Sequence, residues 1–153
     1  MEYSHTQWGN LWAPSLLLMA GVVLVVAAAG AGEPVVLVPL AVFSTLILGV
    51  LLAFSRLTVS IAAGRITTAF AWGWPRRTFA LEDVVTMKAV RNKWWYGWGI
   101  RKIPGGWMFN VWGLDAVELE LISGKKFRVG TDAPDDLVAA LSLYTALRPP
   151  PPR

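Results

Sequence analysis

The sequence predicts a membrane α-helical hairpin followed by a mainly-β, α+β cytoplasmic domain, and three observations carry that prediction. Two long runs near the N-terminus hold no charge: 30 residues between Glu2 and Glu33, then 22 between Glu33 and Arg56. The charge is divided unevenly, since residues 1–55 hold two acids and no Lys or Arg while residues 56–153 hold all 14 basic residues. After Arg56 the hydrophobic period changes from helical to two. With 55% hydrophobic residues, 16% charged and a mean hydropathy of +0.49, the chain is too apolar for an ordinary soluble domain or for disorder.

The first helix is expected over about Trp12 to Ala31 and the second over about Pro34 to Phe54. Either run is long enough to span, because 22 helical residues reach about 33 Å against a hydrocarbon core of roughly 30 Å. Pro14 falls in the first turn, where a missing N–H costs nothing, and Pro39 lies about a turn inside the second helix, which bundled membrane helices tolerate. The connector Gly30 to Pro34 is long enough only to reverse the chain, which puts both ends on one side. Arg56 and Arg65 follow the second helix directly, so the positive-inside rule places both termini in the cytoplasm, with residues 1–11 as a cytoplasmic segment and Trp8 and Trp12 at the inner headgroup level. Ala41, Thr45, Gly49 and Ala53 form a small-residue stripe, answered by Gly21, Ala28 and Gly32. Such a stripe suits close helix packing, either within the hairpin or between copies of the chain. Ala29-Gly30-Ala31 resembles a signal-peptide cleavage site, but no Lys or Arg precedes it.

Beyond Arg56, Leu57, Val59 and Ile61 alternate with Thr58 and Ser60, and Gly64 turns the chain into a strand over Arg65 to Trp72. Further strands are expected from Thr78 to Ala80 leading into Val84 to Val90, then Trp98 to Ile103, Trp107 to Trp112, Ala116 to Leu121 and Lys125 to Val129. Pro104-Gly105-Gly106 and Gly113 mark turns. The last hairpin can be read in register. Placing Val117, Leu119 and Leu121 on one face with Phe127 and Val129 pairs 121 with 125, 119 with 127 and 117 with 129. Gly124 then takes a left-handed turn position, and Glu120 faces Lys126 while Glu118 faces Arg128. Thr131 or Asp132 can cap a closing helix with Pro134 in its first turn and an apolar stripe at Leu137, Leu141 and Tyr144. Pro149 to Pro152 end it in a Pro-rich tail, residues 148–153.

About seven antiparallel strands closed by one C-terminal helix is the order of a pleckstrin-homology-like domain, here residues 57–147. The chain resembles small bacterial membrane proteins that join a two-helix hairpin to such a domain. The resemblance rests on Tyr96-Gly97-Trp98-Gly99-Ile100-Arg101, on the run from Gly113 to Leu121, on Ser123-Gly124-Lys125-Lys126, and on Gly130-Thr131-Asp132. It implies a fold and a bacterial cytoplasmic-membrane location, and it supplies no catalytic residues.

Chemistry-bearing motifs are few. The absence of Cys excludes thiolate chemistry and disulfides, and a single histidine, His5, excludes a His cluster, so no cofactor or metal is expected. Glu118 and Glu120 are spaced like a carboxylate pair, but they face Lys126 and Arg128 and read as a solvated, salt-bridged face. Glu82-Asp83 reads as a turn. No glycine cluster opens a helix as a phosphate-cradling loop does. Catalysis is not expected.

The segment Lys88 to Trp112 stands apart. Arg91, Lys93, Trp94, Trp95, Tyr96, Trp98, Arg101 and Lys102 interleave cations with aromatic rings. Core packing, a protein partner and a membrane-interface patch all use these ingredients, and so does a single-stranded nucleic-acid platform, for which a membrane hairpin is poor geometry. The expected function is an integral membrane protein presenting a binding or scaffolding module to membrane lipids and an unknown protein partner, with no nucleic acid. The alternative is a homo-oligomeric membrane protein or a transporter or channel accessory subunit assembled through the helices.

Overall fold

The computed structural model describes residues 2–29 and 34–146. The connector, with Gly32 and most of the Ala29-Gly30-Ala31 motif, lies outside them, as does the Pro-rich tail. The fold is mixed α+β, with three helices and two sheets of four and five strands. A strand, β1 (Tyr3–Trp8), precedes two apolar helices, α1 (Trp12–Ala29) and α2 (Pro34–Ala53). Next come β2 (Arg56–Ala62), β3 (Arg65–Phe70) and β4 (Arg76–Ala80), which complete the first sheet in the order β1-β2-β3-β4. The second sheet, in the order β5-β8-β9-β7-β6, comprises β5 (Val84–Arg91), β6 (Gly99–Ile103), β7 (Gly106–Asn110), β8 (Asp115–Leu121) and β9 (Lys126–Gly130). Helix α3 (Pro134–Ala146) follows.

Period-two patterning builds the core. Leu57, Val59 and Ile61 of β2 and Ile66 and Phe70 of β3 pack against Phe109, Val117, Leu119, Phe127 and Val129 of the second sheet, and Leu137 and Leu141 of α3 join the same cluster. The β8–β9 hairpin has the expected register, Val117 opposite Val129, Glu118 opposite Arg128 and Glu120 opposite Lys126. Its turn closes with Gly124 at φ 74°, the left-handed region that glycine enters without steric cost.

The strand count and their direction differ from the expectation of about seven antiparallel strands: there are nine among the described residues, and β7 pairs with β9 in parallel. The segment from Thr78 to Val90 is not one strand. A 3-10 turn at Leu81–Asp83 breaks it, sending β4 to the edge of one sheet and β5 to the edge of the other. Strand β1 is the further addition. It pairs along its whole length with β2, from Tyr3 opposite Ile61 to Trp8 opposite Arg56. Polar contacts hold it: Thr6 and Thr58 share a hydrogen bond of 2.8 Å, Gln7 Nε2 donates to the Trp112 carbonyl at 3.1 Å, and His5 Nε2 lies 2.5 Å from Asp132. Asp132 is thereby engaged by β1 rather than capping α3, and the Thr131 hydroxyl accepts from the Ala133 N–H just ahead of the helix.

The helices leave and rejoin the first sheet at one place. Gly9 N–H donates to the Ser55 carbonyl at 2.7 Å, and Ala71 N–H donates to the Ala53 carbonyl at 3.3 Å. Helix α2, with 20 residues, a mean hydropathy of 2.7 and none of it buried, is long and apolar enough to cross a membrane. Its contact with α1 runs mainly beside the small-residue stripe, although Thr45 borders a second groove with Ser15, Leu18, Met19 and Val22. Leu40, Phe43, Ser44 and Ile47 share an apolar groove with Leu17, Leu18, Gly21 and Val22 of α1. Ala41 and Thr45 are exposed, as is Ala28 of α1. A Cβ on Gly49 would meet nothing within 4 Å, and Ala53 ends the helix half-buried. Bulky apolar side chains line the row that faces α1, and of the stripe Ala41 and Thr45 are exposed, Thr45 bordering a groove beside α1.

Candidate functional site

The aromatic and basic segment forms a rim around the point where the helices leave the sheet. Strand β5 ends at Arg91, paired with Asp115 at 3.3 Å, and Asn92 N–H donates to the Leu114 carbonyl. The chain then makes a 3-10 turn over Trp94–Tyr96 and enters β6. Trp94 and Trp95 stand edge to face, 5.8 Å apart, and are 77% and 59% exposed, so neither packs in the core. The Lys93 ammonium lies over the Trp95 ring at 5.0 Å. Trp98 stacks on Trp112 at 4.8 Å, while Arg101 Nε donates to the Trp98 carbonyl at 2.8 Å. Trp112 accepts from Gln7, one residue before the exposed Trp8, and a Cβ on the neighbouring Gly9 would press on Val111. Both ends of the segment are therefore fastened near the helix exit.

Tryptophans outside that segment complete the rim. Trp8 is exposed, with the Arg56 guanidinium 5.4 Å from its ring centroid. Ala71, bonded to the end of α2, leads into the β3–β4 turn, where Trp72 and Trp74 are both exposed. The strand expected over Arg65 to Trp72 ends at Phe70, because Trp72-Gly73-Trp74-Pro75 forms an aromatic turn with Gly73 at φ 75°. Lys102 departs from the group and lines a cleft with Arg77 and Lys125.

Glu118 holds this segment down. It was expected on a solvated face, but it is only 2% exposed. Lys88, Lys126 and Arg128 crowd around it, and Asn92 and Tyr96 of the turn rest on Arg128. Arg128 Nε donates to Glu118 at 2.7 Å and Lys126 Nζ at 3.2 Å, with Lys88 Nζ 3.5 Å away. Arg128 also donates to Asn92 Oδ1 at 3.0 Å and carries the Tyr96 ring 5.9 Å from its guanidinium. Burial alone would raise the Glu118 pKa, but the hydrogen bonds and charges of Arg128 and Lys126 outweigh it and hold the carboxyl below its usual value. Glu120 is half-buried and accepts from the Thr86 hydroxyl at 3.2 Å. Surrounded by cations and bonded to them, Glu118 is fitted to position the turn rather than to exchange a proton.

Among the described residues no group of His, Asp and Glu side chains could hold a metal ion. No protein-family model matches the chain, and no curated protein matches it significantly.

Proposed function

We propose that the chain is an integral protein of the bacterial cytoplasmic membrane, with α1 and α2 as a transmembrane hairpin and both termini in the cytoplasm. Its β domain is read as a pleckstrin-homology-like binding or scaffolding module whose tryptophan rim rests on anionic lipid headgroups. The observation that carries the topology is the pairing of β1 with β2, Trp8 opposite Arg56. Strands in one sheet lie on one side of a bilayer, so the chain between them crosses an even number of times. If α2 crosses, α1 crosses too.

Two sheets and a C-terminal helix support the fold reading, with β1 and the parallel β7–β9 pair as departures from a simple meander. The rim supports lipid docking because indole favours the headgroup region and cations favour anionic lipid. Each Lys or Arg near such a surface contributes about 1 kcal/mol, so Arg91, Lys93 and Arg101 give only weak attraction by themselves. The tether at Ser55 supplies the effective concentration that makes weak attraction sufficient. Alkaline carbonate should not extract the protein from membranes, and reporters at either terminus should be active only as cytoplasmic fusions. A periplasmic reporter signal at the C-terminus contradicts the topology.

A second reading, self-association through the helices, is favoured by the exposure of Ala41 and Thr45 and the open space beside Gly49. Cross-linking in membranes should give a homo-oligomer that Gly49→Leu abolishes. An unchanged cross-linked species in that variant excludes the stripe as the interface.

A further inference from the structure

The edges of the two sheets part between β4 and β6, outer strands with no neighbour on their free sides among the described residues. The gap is a cleft of ≈ 430 Å³ whose floor includes Phe79 and Phe127, with ring centroids 4.8 Å apart. Around it stand Arg77, Lys102, Lys125 and Lys126, and no Asp or Glu lines it. Lys126 is engaged by Glu118, whereas Arg77, Lys102 and Lys125 make no ion pair among the described residues. A second hollow of ≈ 260 Å³ continues along β4 past Arg77 and Trp107 towards Trp74. The cleft thus follows the strand edge over its length.

We propose that this cleft binds an acidic, extended segment of a partner protein, which adds to the free edge of β4 or β6 and lays an apolar side chain on Phe79 and Phe127. Charge complementarity sets the sign of the occupant, because three cations without an ion pair among the described residues face a cleft whose described lining holds no acid. Free edge strands set its form, since an extended chain satisfies their main-chain groups while alternate side chains enter the groove. Position argues against a bilayer lipid. The Gly105 and Lys125 turns lie at the ends of β7 and β9 opposite Val111, and Val111 is the residue beside Gly9 at the helix exit. This inference is independent of lipid docking by the rim, and the test separates the two by using zwitterionic lipid.

The full chain in phosphatidylcholine nanodiscs is titrated against a fluorescein-labelled peptide of alternating Glu and Phe, with fluorescence anisotropy as the readout. Saturable binding that weakens as salt rises is expected, with none for the same peptide carrying Lys in place of Glu. Lys102→Glu combined with Lys125→Glu should weaken binding by at least about tenfold. Arg65→Glu, on the outer face of β3, should leave it unchanged. Methylating alternate peptide nitrogens should abolish binding through the lost main-chain hydrogen bonds. Equal binding of the Lys peptide, or wild-type affinity in the folded Lys102→Glu, Lys125→Glu double variant, overturns the proposal. Unchanged affinity of the methylated peptide overturns strand addition. Displacement of the peptide by dihexanoylphosphatidic acid at lower concentration than by unlabelled peptide replaces the protein partner with a lipid phosphate.

Discussion

Removing the negative charge of Glu118 leaves Lys126 and Arg128 beside each other with no counter-charge, and Arg128 is also the residue that fastens Asn92 and Tyr96. Breaking a buried pair by deleting one partner costs about 3 kcal/mol or more. Glu118→Gln should therefore lower the melting temperature at neutral pH. The pH dependence has a definite sign. A carboxyl whose native pKa lies below its ordinary value of 4.5 adds stability that is present above that value and is lost as pH falls through the native pKa. Melts of the wild type and Glu118→Gln should thus converge as pH drops below 4.5, and a gap that persists unchanged into acid would contradict the role given to this charge.

Parallel pairing of β7 and β9 brings the Gly106 backbone against that of Lys126, and a Cβ there would overlap the Lys126 carbonyl. Gly106→Ala should destabilise the protein by about 2 kcal/mol, read as a lower denaturation midpoint at unchanged slope. Wild-type stability would mean that β7 and β9 do not approach in this way. The elements differ in how far the sequence exposed them. The β8–β9 register was legible because Val117, Leu119, Phe127 and Val129 must share a face, and the helices because their charge-free runs are long. Strand β1 was not, since Ser4, His5 and Thr6 show no apolar alternation and the strand is fixed by distant partners on β2 and at Trp112 and Asp132. The parallel pair was equally hidden, because periodicity shows which face a residue takes and not which strand lies beside it. Much of the rim could be read as composition around Trp94 and Trp95. Its closure by Trp72 and Trp74 depends on Ala71 meeting the end of α2, a contact remote in sequence.

At the scale of the molecule, the β domain is held close to the helices by the turns at Gly9 and Ser55, and the exposed indoles of Trp8, Trp72, Trp74, Trp94, Trp95 and Trp98 gather at that end, with Trp107 away from it on β7. Under the proposed topology, a rim so placed would meet the headgroups with little loss of freedom beyond that already imposed by the tether. The proposed docking would differ from mere proximity in its charge dependence, since an attraction carried by Lys93 and Arg101 would vary with lipid charge and salt while the tether does not. The direct measurement is tryptophan quenching by lipids brominated near the headgroup, with the full chain in anionic and in zwitterionic nanodiscs, compared with the variant carrying Trp94→Phe and Trp95→Phe. The account predicts stronger quenching of the wild type in anionic lipid, loss of that excess in the variant, and its decline as salt rises. Identical quenching of the two proteins in anionic lipid would show that Trp94 and Trp95 do not touch the membrane surface, and would contradict the docking of the domain through its rim.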